Sequence, residues 1–234
     1  MRGCLFVVIL AALVVSVVAW FGSPVLASTV ISAALENAGY HAGSSTVTAT
    51  SSPPPKLLLG RADRVEIAGT DVDFRTFHAA SLSLVLTDVD VLARTADRIR
   101  GRIVGAELKT ADGEPTTADV DIDGPADAAA ATIVVDGPTV DRVVRAAFLD
   151  AFAVAVTATE LVAPNTLRVS APGATVQGRL EVNAAGAIVL TTPLGSTEIL
   201  GLDPSFPLRL HEVTAVAGDL RIEATLDAEA LIGG

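Results

Sequence analysis

The spacing of apolar residues changes at Leu57 from a helical pattern to an alternating one, which continues over most of the chain. Alternation over four to eight residues predicts strands, and the short gaps that hold Gly, Pro or Asn predict antiparallel hairpins. A turn is expected at Gly69, between two of the strands. The predicted strands are an edge strand at 46–50, then 64–67, 71–74, a strand with Leu82, Leu84 and Leu86 on one face that continues past a bend through Val89 and Val91, then 103–109, 117–123, 131–136, 153–159, 166–170, 175–182, 187–192, 208–216 and 220–227, with extended chain at 53–55 and loops at 110–118 and 124–130.

Two segments have helical spacing instead. In residues 28–38 apolar side chains recur every three or four positions, and Gly39 is expected to end this helix. Residues 138–152 repeat the pattern, and Pro138 suits a first helical turn. The order of helix, many strands, one helix and more strands predicts an α+β fold dominated by an antiparallel sheet.

Charge placement sets the N-terminal residues apart. Arg2 precedes a nearly unbroken apolar run from Cys4 to Trp20, and no further charge appears before Glu36. The run approaches the roughly 20 residues that span a bilayer, and the positive-inside rule places the rest of the chain outside the cytoplasm. Residues 1–27 are therefore expected to be a signal peptide or a membrane anchor, with cleavage and retention both open. Residues 28–234 are expected to form one extracytoplasmic domain.

The body of the chain is acidic and has no cysteine. The net charge is −11, and the single cysteine lies in the apolar run. An acidic surface repels nucleic acid and anionic headgroups, so a bound lipid would have to be held through its acyl chains. The body cannot form disulfides, but about 200 residues suffice to bury a core without them.

The sequence contains no motif that supports catalysis or metal binding. Residues 119–124 look like the start of a calcium loop, but Ala130 stands where the loop needs glutamate, and strand alternation explains the carboxylates. His211 is followed by Ala215, where a zinc helix needs its second histidine. The sequence also has no nucleophile elbow, Walker loop or dinucleotide motif. We therefore expect no catalytic residues, no metal and no cofactor, and an envelope hydrolase is the weakest functional hypothesis.

Apolar residues make up 50% of the chain, but aromatic residues only 4%. Alanine, valine and leucine therefore fill the interior, which suits either a smooth groove for alkyl chains or an ordinary β core. Each phenylalanine of the body can likewise line a ligand space or fill the core, and the core is favoured. These phenylalanines are Phe74, Phe77, Phe148, Phe152 and Phe206.

Several short motifs resemble a known family. Residues 57–61 (LLLGR) and 64–67 (RVEI) resemble the motif with which that family begins its sheet, and residues 81–91 (SLSLVLTDVDV) fit the next strand pair. Residues 207–213 (PLRLHEV) and 218–222 (GDLRI) resemble its closing hairpin. With the N-terminal segment and the helix before the sheet, the chain resembles the LmeA-type phospholipid-binding family of actinobacterial cell envelopes. The likeness covers most of residues 24–229, and the departures from the pattern are 105–130 and the Ser/Thr-rich stretch before Pro53.

The resemblance implies a fold similar to the tubular lipid-binding (TULIP-like) proteins, with a long curved antiparallel sheet wrapped around a helix and an apolar cleft. It implies phospholipid binding in the assembly or maintenance of the cell envelope, membrane association through the N-terminal helix, and no catalytic residues. Inward rows of the sheet would contact acyl chains, at about 0.8 kcal/mol per buried CH₂. The expected lipid-binding residues are Phe74, Phe77, Leu82, Leu84, Leu86, Phe148, Phe152, Val154 and Val156.

A second hypothesis is a non-catalytic interaction or scaffold module, tethered at the membrane and built around a packed β core. Strand patterning is the same under both hypotheses. A continuous cavity would favour the lipid binder, because packed cores leave few voids larger than a water molecule. The lipid's identity, the choice between transfer and sensing, and the protein partner stay open.

Overall fold

The computed structural model describes residues 24–33, 35–37, 39–74, 77–110, 116–201 and 208–228. Residues 24–33 and 35–37 form helix α1, Pro54–Leu59 form a 3₁₀ helix, and Gly137–Phe152 form helix α2. The strands are β1 (Tyr40–Thr50), β2 (Arg61–Phe74), β3 (Phe77–Asp90), β4 (Arg98–Thr110), β5 (Thr116–Pro125), β6 (Ala129–Val135), β7 (Ala158–Val162), β8 (Thr166–Ala171), β9 (Ala174–Val182), β10 (Ile188–Thr192), β11 (Gly195–Gly201), β12 (Leu208–Val216) and β13 (Asp219–Leu226).

Eight strands form one large antiparallel sheet in the order β1-β2-β3-β4-β5-β6-β13-β12. Within the described residues β1 pairs with β2 alone, so it is the edge strand that was predicted, although it begins earlier. The 3₁₀ helix, the β3–β4 turn and the β5–β6 turn all lie at one end of this sheet, here named the tip end. The opposite end is named the far end.

The other five strands form a smaller antiparallel sheet in the order β7-β8-β9-β10-β11. It joins the large sheet at the far end, where Leu200 and Gly201 of β11 pair with the last two residues of β4. The backbone N–H of Ala215 in β12 also donates to the carbonyl of Pro164, at 2.6 Å. Strand β11 was not predicted, because Gly195–Gly201 (GSTEILG) does not alternate cleanly.

Helix α2 confirms the predicted helix at 138–152, and both of its ends are capped. The Asp136 carboxylate accepts a hydrogen bond from the Thr139 N–H at 3.1 Å, and Ala153, with φ of 54°, ends the helix in the left-handed region. The helix makes its main strand contacts with β7, β11 and β13, so it lies where the two sheets meet. The buried residues of its apolar face are Val140, Val143, Val144, Ala147 and Phe148.

The turn predicted at Gly69 is wrong. Residues 61–74 form one uninterrupted strand, and Gly69 is paired with β1 on one side and β3 on the other. The glycine is needed for space, because a Cβ at this position would come within 2.3 Å of the Tyr40 hydroxyl. The strand keeps its pairing register with both neighbours throughout. Near Asp71, whose φ is 50°, the alternation shifts by one residue, so that a different set of positions faces inward.

The start of the described chain is tied to the edge of the sheet. Helix α1 is already formed at residue 24, where the described chain starts, which is earlier than predicted. Gly39 follows the helix, and its N–H donates to the Glu36 carbonyl at 3.0 Å. The Ala49 N–H near the end of β1 donates to Ser28 Oγ at 3.3 Å. Helix α1 therefore runs antiparallel to β1, from the tip end towards the far end.

Two predictions of irregular chain are wrong in part. Pro53 is extended, with ψ of 152°, but Pro54 begins the 3₁₀ helix, because the φ of proline also suits a first helical turn. Of the loops predicted at 110–118 and 124–130, residues 116–118 and 124–125 lie in β5 and residues 129–130 in β6, whereas residues 111–115 lie outside the described residues. Two alanines of these ranges fill inward strand positions, as the burial of Ala118 and Ala129 shows.

These elements confirm an α+β fold built mainly from an open antiparallel sheet. In the part of the chain that the structure describes, no helix is long and apolar enough to cross a membrane. The signal or anchor helix predicted for residues 1–27 falls outside the described residues up to position 23.

Candidate functional site

One side of the large sheet, here named the inner face, is apolar from β1 to β12. Because successive side chains of a strand point to opposite sides, residues paired in register share a face. Two rows of paired residues cross the sheet on this face. The first row is Val47, Ile67, Leu84, Gly101, Ile122, Ala131, Ala224 and Leu210, and the second is Leu82, Ile103, Val120, Ile133, Ile222 and Val213. Gly101 is the one residue of the first row that has no side chain.

The inner face is not equally covered along these rows. Across β5, β6 and β13 its side chains are fully buried, as in Ile133 and Ile222. On β1 to β3 several apolar side chains are only half-buried, although they pack against the same core. Water therefore reaches the inner face at its β1–β3 side, where these half-buried residues are Ala42, Val47, Phe74, Leu82, Leu84 and Val89.

Tyr40 places a polar atom within this apolar region. Its ring is buried, and its hydroxyl lies over Gly69 on the inner face. The hydroxyl is fully buried and has no hydrogen-bond partner among the described residues. A buried polar group without a partner costs about 1–3 kcal/mol, so such an atom calls for an explanation. Tyr40 was not among the predicted site residues, because nothing in its local sequence marks it.

The predicted residues of α2 lie together, apart from those of β2 and β3. The rings of Phe148 and Phe152 meet edge to face, with centroids 5.2 Å apart. Phe148 is buried, whereas Phe152 is half-buried and lies beside Gly195 of the small sheet. On β3 the structure brings Leu82, Leu84 and Leu86 onto the inner face, as predicted, with Leu86 fully buried. The side chain of Phe77 lies outside the described residues, and so does Phe206.

Val154 and Val156 do not belong to a strand, and the strand predicted at 153–159 is wrong over most of its length. Residues 153–157 have no regular structure, and β7 begins at Ala158. The cause lies on α2, where the Arg145 guanidinium donates to the carbonyls of Val156 at 3.2 Å and Thr157 at 2.9 Å. Those acceptors are bound to a helix side chain rather than to a neighbouring strand. Val154 is half-buried and Val156 buried, beside α2 rather than in a row of the sheet.

Asp141 also helps to hold the segment that follows α2. Its carboxylate accepts hydrogen bonds from Arg145 Nε at 2.7 Å and from both the N–H and the hydroxyl of Thr159. Burial by itself would raise the pKa of Asp141, but these hydrogen bonds and the charge of Arg145 outweigh it and lower the pKa. The ion pair therefore fixes the segment that follows α2.

The outer side of the large sheet carries cross-strand ion pairs. Arg100 donates to Asp123 at 2.8 Å and Arg102 to Asp119 at 2.9 Å. The hydrogen bonds from Arg100 and Arg98 lower the pKa of Asp123. Residues 119–124 thus lie in β5, as strand alternation predicted, with their carboxylates paired to arginines. Within the described ranges no group of three or more His, Cys, Asp or Glu side chains is placed to hold a metal ion.

Strand pairing also brings together two histidines that lie far apart in the sequence. His41 and His78 flank Asp73 in register, at the far end of β1 to β3. His78 Nδ1 lies 2.8 Å from Asp73 Oδ1. This hydrogen bond is the main cause of a raised pKa for His78, and the charge of Asp73 adds to it, whereas burial opposes it.

Replacing Asp73 by asparagine is expected to lower the pKa of His78 towards the ordinary histidine value of about 6.5. Because the pKa is raised on folding, the pair stabilises the fold fully below the unfolded pKa, and this contribution is lost as the pH rises through the folded pKa. An NMR titration of the His78 ring measures the change. Asp127→Asn, which removes the same charge in the β5–β6 turn, is the control. A His78 pKa that falls equally in both variants would contradict the assignment to Asp73.

An open antiparallel sheet with few helices and one apolar face places the chain in the α+β class of proteins. The comparison with protein families is more specific. The model of the LmeA-like phospholipid-binding family matches residues 16–225, so the chain belongs to this family, as its motifs predicted. The family's description names a binding activity rather than a reaction. Comparison with curated proteins and with solved structures finds no match for this chain.

Proposed function

We propose that this chain is an extracytoplasmic phospholipid-binding protein that carries or senses lipid in the assembly or maintenance of the cell envelope. The lipid occupies an apolar cleft, formed where the large sheet curves around a helix in the TULIP-like manner. Residues 1–27 bring the domain to the membrane, as a signal peptide or as an anchor. The protein acts as a binder rather than an enzyme, with phospholipid as its partner and neither metal nor cofactor nor nucleic acid involved.

The half-buried inner face of β3 is the observation that carries this proposal. Leu82 and Leu84 belong to rows of apolar residues that cross the large sheet, but they are not fully covered themselves. An acyl chain laid along them removes apolar surface from water, at about 0.8 kcal/mol per buried CH₂. No cation is needed for this, which agrees with the net charge of −11.

The Tyr40 hydroxyl gives the same face one donor. A glycerophospholipid presents ester carbonyls between its acyl chains and its headgroup, and these oxygens accept hydrogen bonds. A donor buried beside the half-buried leucines suits such an acceptor, because binding would supply the partner that the hydroxyl lacks among the described residues. Apolar sites commonly fix ligand orientation with a few such polar groups.

The alternative is a membrane-tethered scaffold module with a packed β core. The observation that favours it is the complete burial of the inner face across β5, β6 and β13, where Val120, Ile133 and Ile222 leave little surface uncovered. Under this alternative the half-buried residues of β1 to β3 are only the margin of an ordinary core.

The first experiment is native mass spectrometry of the full chain, expressed with its own N-terminal segment and recovered after export, followed by lipid extraction. Phospholipid bound in near-stoichiometric amount is expected, and its class identifies the pathway. A mass without lipid that persists after incubation with phospholipid vesicles would reject the carrier and leave the scaffold module.

A Leu84→Trp variant separates the two functions further. If the cleft is open, the indole occupies it, so the recovered phospholipid should fall several-fold while the free energy of unfolding stays unchanged. If the core is packed, the larger side chain should cost about 1–3 kcal/mol. Ser83→Trp is the matched control, because Ser83 is the exposed neighbour on the outer side. Lipid content from extraction and stability from urea unfolding give the two readouts.

A further inference from the structure

Exposed large apolar side chains gather at the tip end of the large sheet. Leu58 and Leu59 of the 3₁₀ helix are 51% and 70% exposed, and Leu92 of the β3–β4 turn is 81% exposed. The two segments are joined, because the Gly60 carbonyl accepts a hydrogen bond from the Val91 N–H at 2.8 Å. These three leucines are named the leucine tip.

The fold holds the leucine tip in place. Leu57, the neighbour of Leu58, is buried and fastens the 3₁₀ helix to the core, so this short helix turns its next two leucines to solvent. The Leu92 side chain lies directly over Gly60, where any Cβ would meet it at 2.9 Å. Exposed apolar residues that are scattered singly need no explanation, but a contiguous group on adjoining segments marks an interaction surface.

The sequence that precedes the described chain leads to the same end of the molecule. Because Ser28 bonds to Ala49, the first described residues of helix α1 lie at the tip end, and they add two more exposed apolar residues, Val25 and Leu26. The apolar run from Cys4 to Trp20 ends only four residues before Pro24. Four residues span at most about 14 Å, so a bilayer that holds the run lies at the tip end of the molecule.

Two cations next to the leucine tip are paired with carboxylates of the same chain. Lys56 pairs with Asp63 at 3.5 Å, and Arg61 pairs with Asp90 at 3.4 Å. These cations are occupied by carboxylates of the same chain, which argues against recognition of anionic headgroups by a basic patch. The partner that fits the leucine tip is therefore apolar.

We infer that the leucine tip docks on the surface of a lipid bilayer, with its three side chains inserted beside the N-terminal apolar segment. A bilayer is favoured over a protein partner or a second copy because the apolar run reaches the molecule at this same end. The inference rests on the proposed function for its purpose, since docking there brings the adjoining inner face, which begins at this end with Ala62 and Val89, up to the lipid. The experiment that tests bilayer docking, however, reports on the tip residues alone.

The test places a single tryptophan at the tip of the full chain and reads its contact with acyl chains. Trp20→Phe removes the only native tryptophan, and Leu59→Trp or Leu92→Trp then serves as reporter in phosphatidylcholine vesicles with brominated acyl chains. Emission should fall by about half, because a docked surface lies ~5–10 Å into the boundary between headgroups and acyl chains. Leu194→Trp is the matched control, an exposed leucine of the β10–β11 turn at the opposite end of the molecule.

Quenching at the tip but not at the Leu194→Trp reporter, unchanged by added salt or by phosphatidylglycerol, supports docking through apolar contact. Equal quenching at all positions overturns the inference, and so does the absence of quenching at the tip. An unquenched tip in a chain that dimerises would assign the leucine tip to contact with a second copy. Lipid extracted from the same variants reports the proposed function separately. Tip quenching without extractable lipid would keep the docking surface and reject the carrier, whereas bound lipid without tip quenching would do the reverse.

Discussion

Replacing Phe148 by alanine is expected to lower the free energy of unfolding by about 3–5 kcal/mol, the usual cost of truncating a buried aromatic residue. Phe148 is only 1% exposed, and its ring packs on Phe152 at the junction of the two sheets. Since α2 makes its main strand contacts with β7, β11 and β13, the cavity would open where both sheets depend on the helix. Chemical denaturation of the two proteins measures the difference.

The matched control is Leu149→Ala, one residue further along the same helix. Leu149 is 59% exposed, so its truncation should change stability by no more than about 0.5 kcal/mol. Both substitutions introduce alanine into α2, which makes the difference between them a measure of packing rather than of helix propensity. Similar losses in the two variants would mean that α2 is not held to the sheets through its Phe148 face.

Local pattern was enough for elements whose period is regular. Strands β8, β9, β12 and β13 and helix α2 appear close to their predicted positions, because burial on one side imposes a period of two or of 3.6. Leu82, Leu84 and Leu86 were placed on one face for the same reason.

Two of the errors occur where a distant residue decides the local structure. Gly69 signals a turn to any local reading, but Tyr40, on the neighbouring strand, occupies the space that a side chain would need and so makes a glycine suitable within a continuous strand. The segment after α2 alternates like a strand, but Arg145 binds the carbonyls that a strand would share. Neither contact leaves a trace in the sequence near the residue that it affects.

The candidate site was likewise predictable only where it depends on local alternation. Alternation identified the inner row of β3, but the half-exposure of that row depends on how eight strands are covered, which no single strand encodes. The Tyr40 hydroxyl and the His41–Asp73–His78 row appear only once β1, β2 and β3 are paired. Leu58 and Leu59 of the leucine tip belong to a motif that resembles the family, but their exposure is evident only in the structure, where their neighbour Leu57 is buried. Leu92 lies outside those motifs.

Gly69→Ala is expected to destabilise the fold by about 1–3 kcal/mol, and Tyr40→Phe to remove much of that cost. The added methyl group would lie 2.3 Å from the Tyr40 hydroxyl, whereas its next contacts are at 3.1 and 3.3 Å and can adjust. Unfolding all four members of the double-mutant cycle in urea should therefore give a coupling of about 1 kcal/mol or more. Additive losses would place the strain elsewhere in β2.

The single variant Tyr40→Phe tests the role of the hydroxyl by itself. Because the hydroxyl is buried without a partner among the described residues, its removal should stabilise the lipid-free protein by about 1 kcal/mol. The same variant should retain less phospholipid when recovered after export, since a bound ester carbonyl would lose its donor. A gain in stability together with a loss of lipid identifies the hydroxyl as a ligand contact, because a purely structural tyrosine would lose stability and leave the lipid content unchanged.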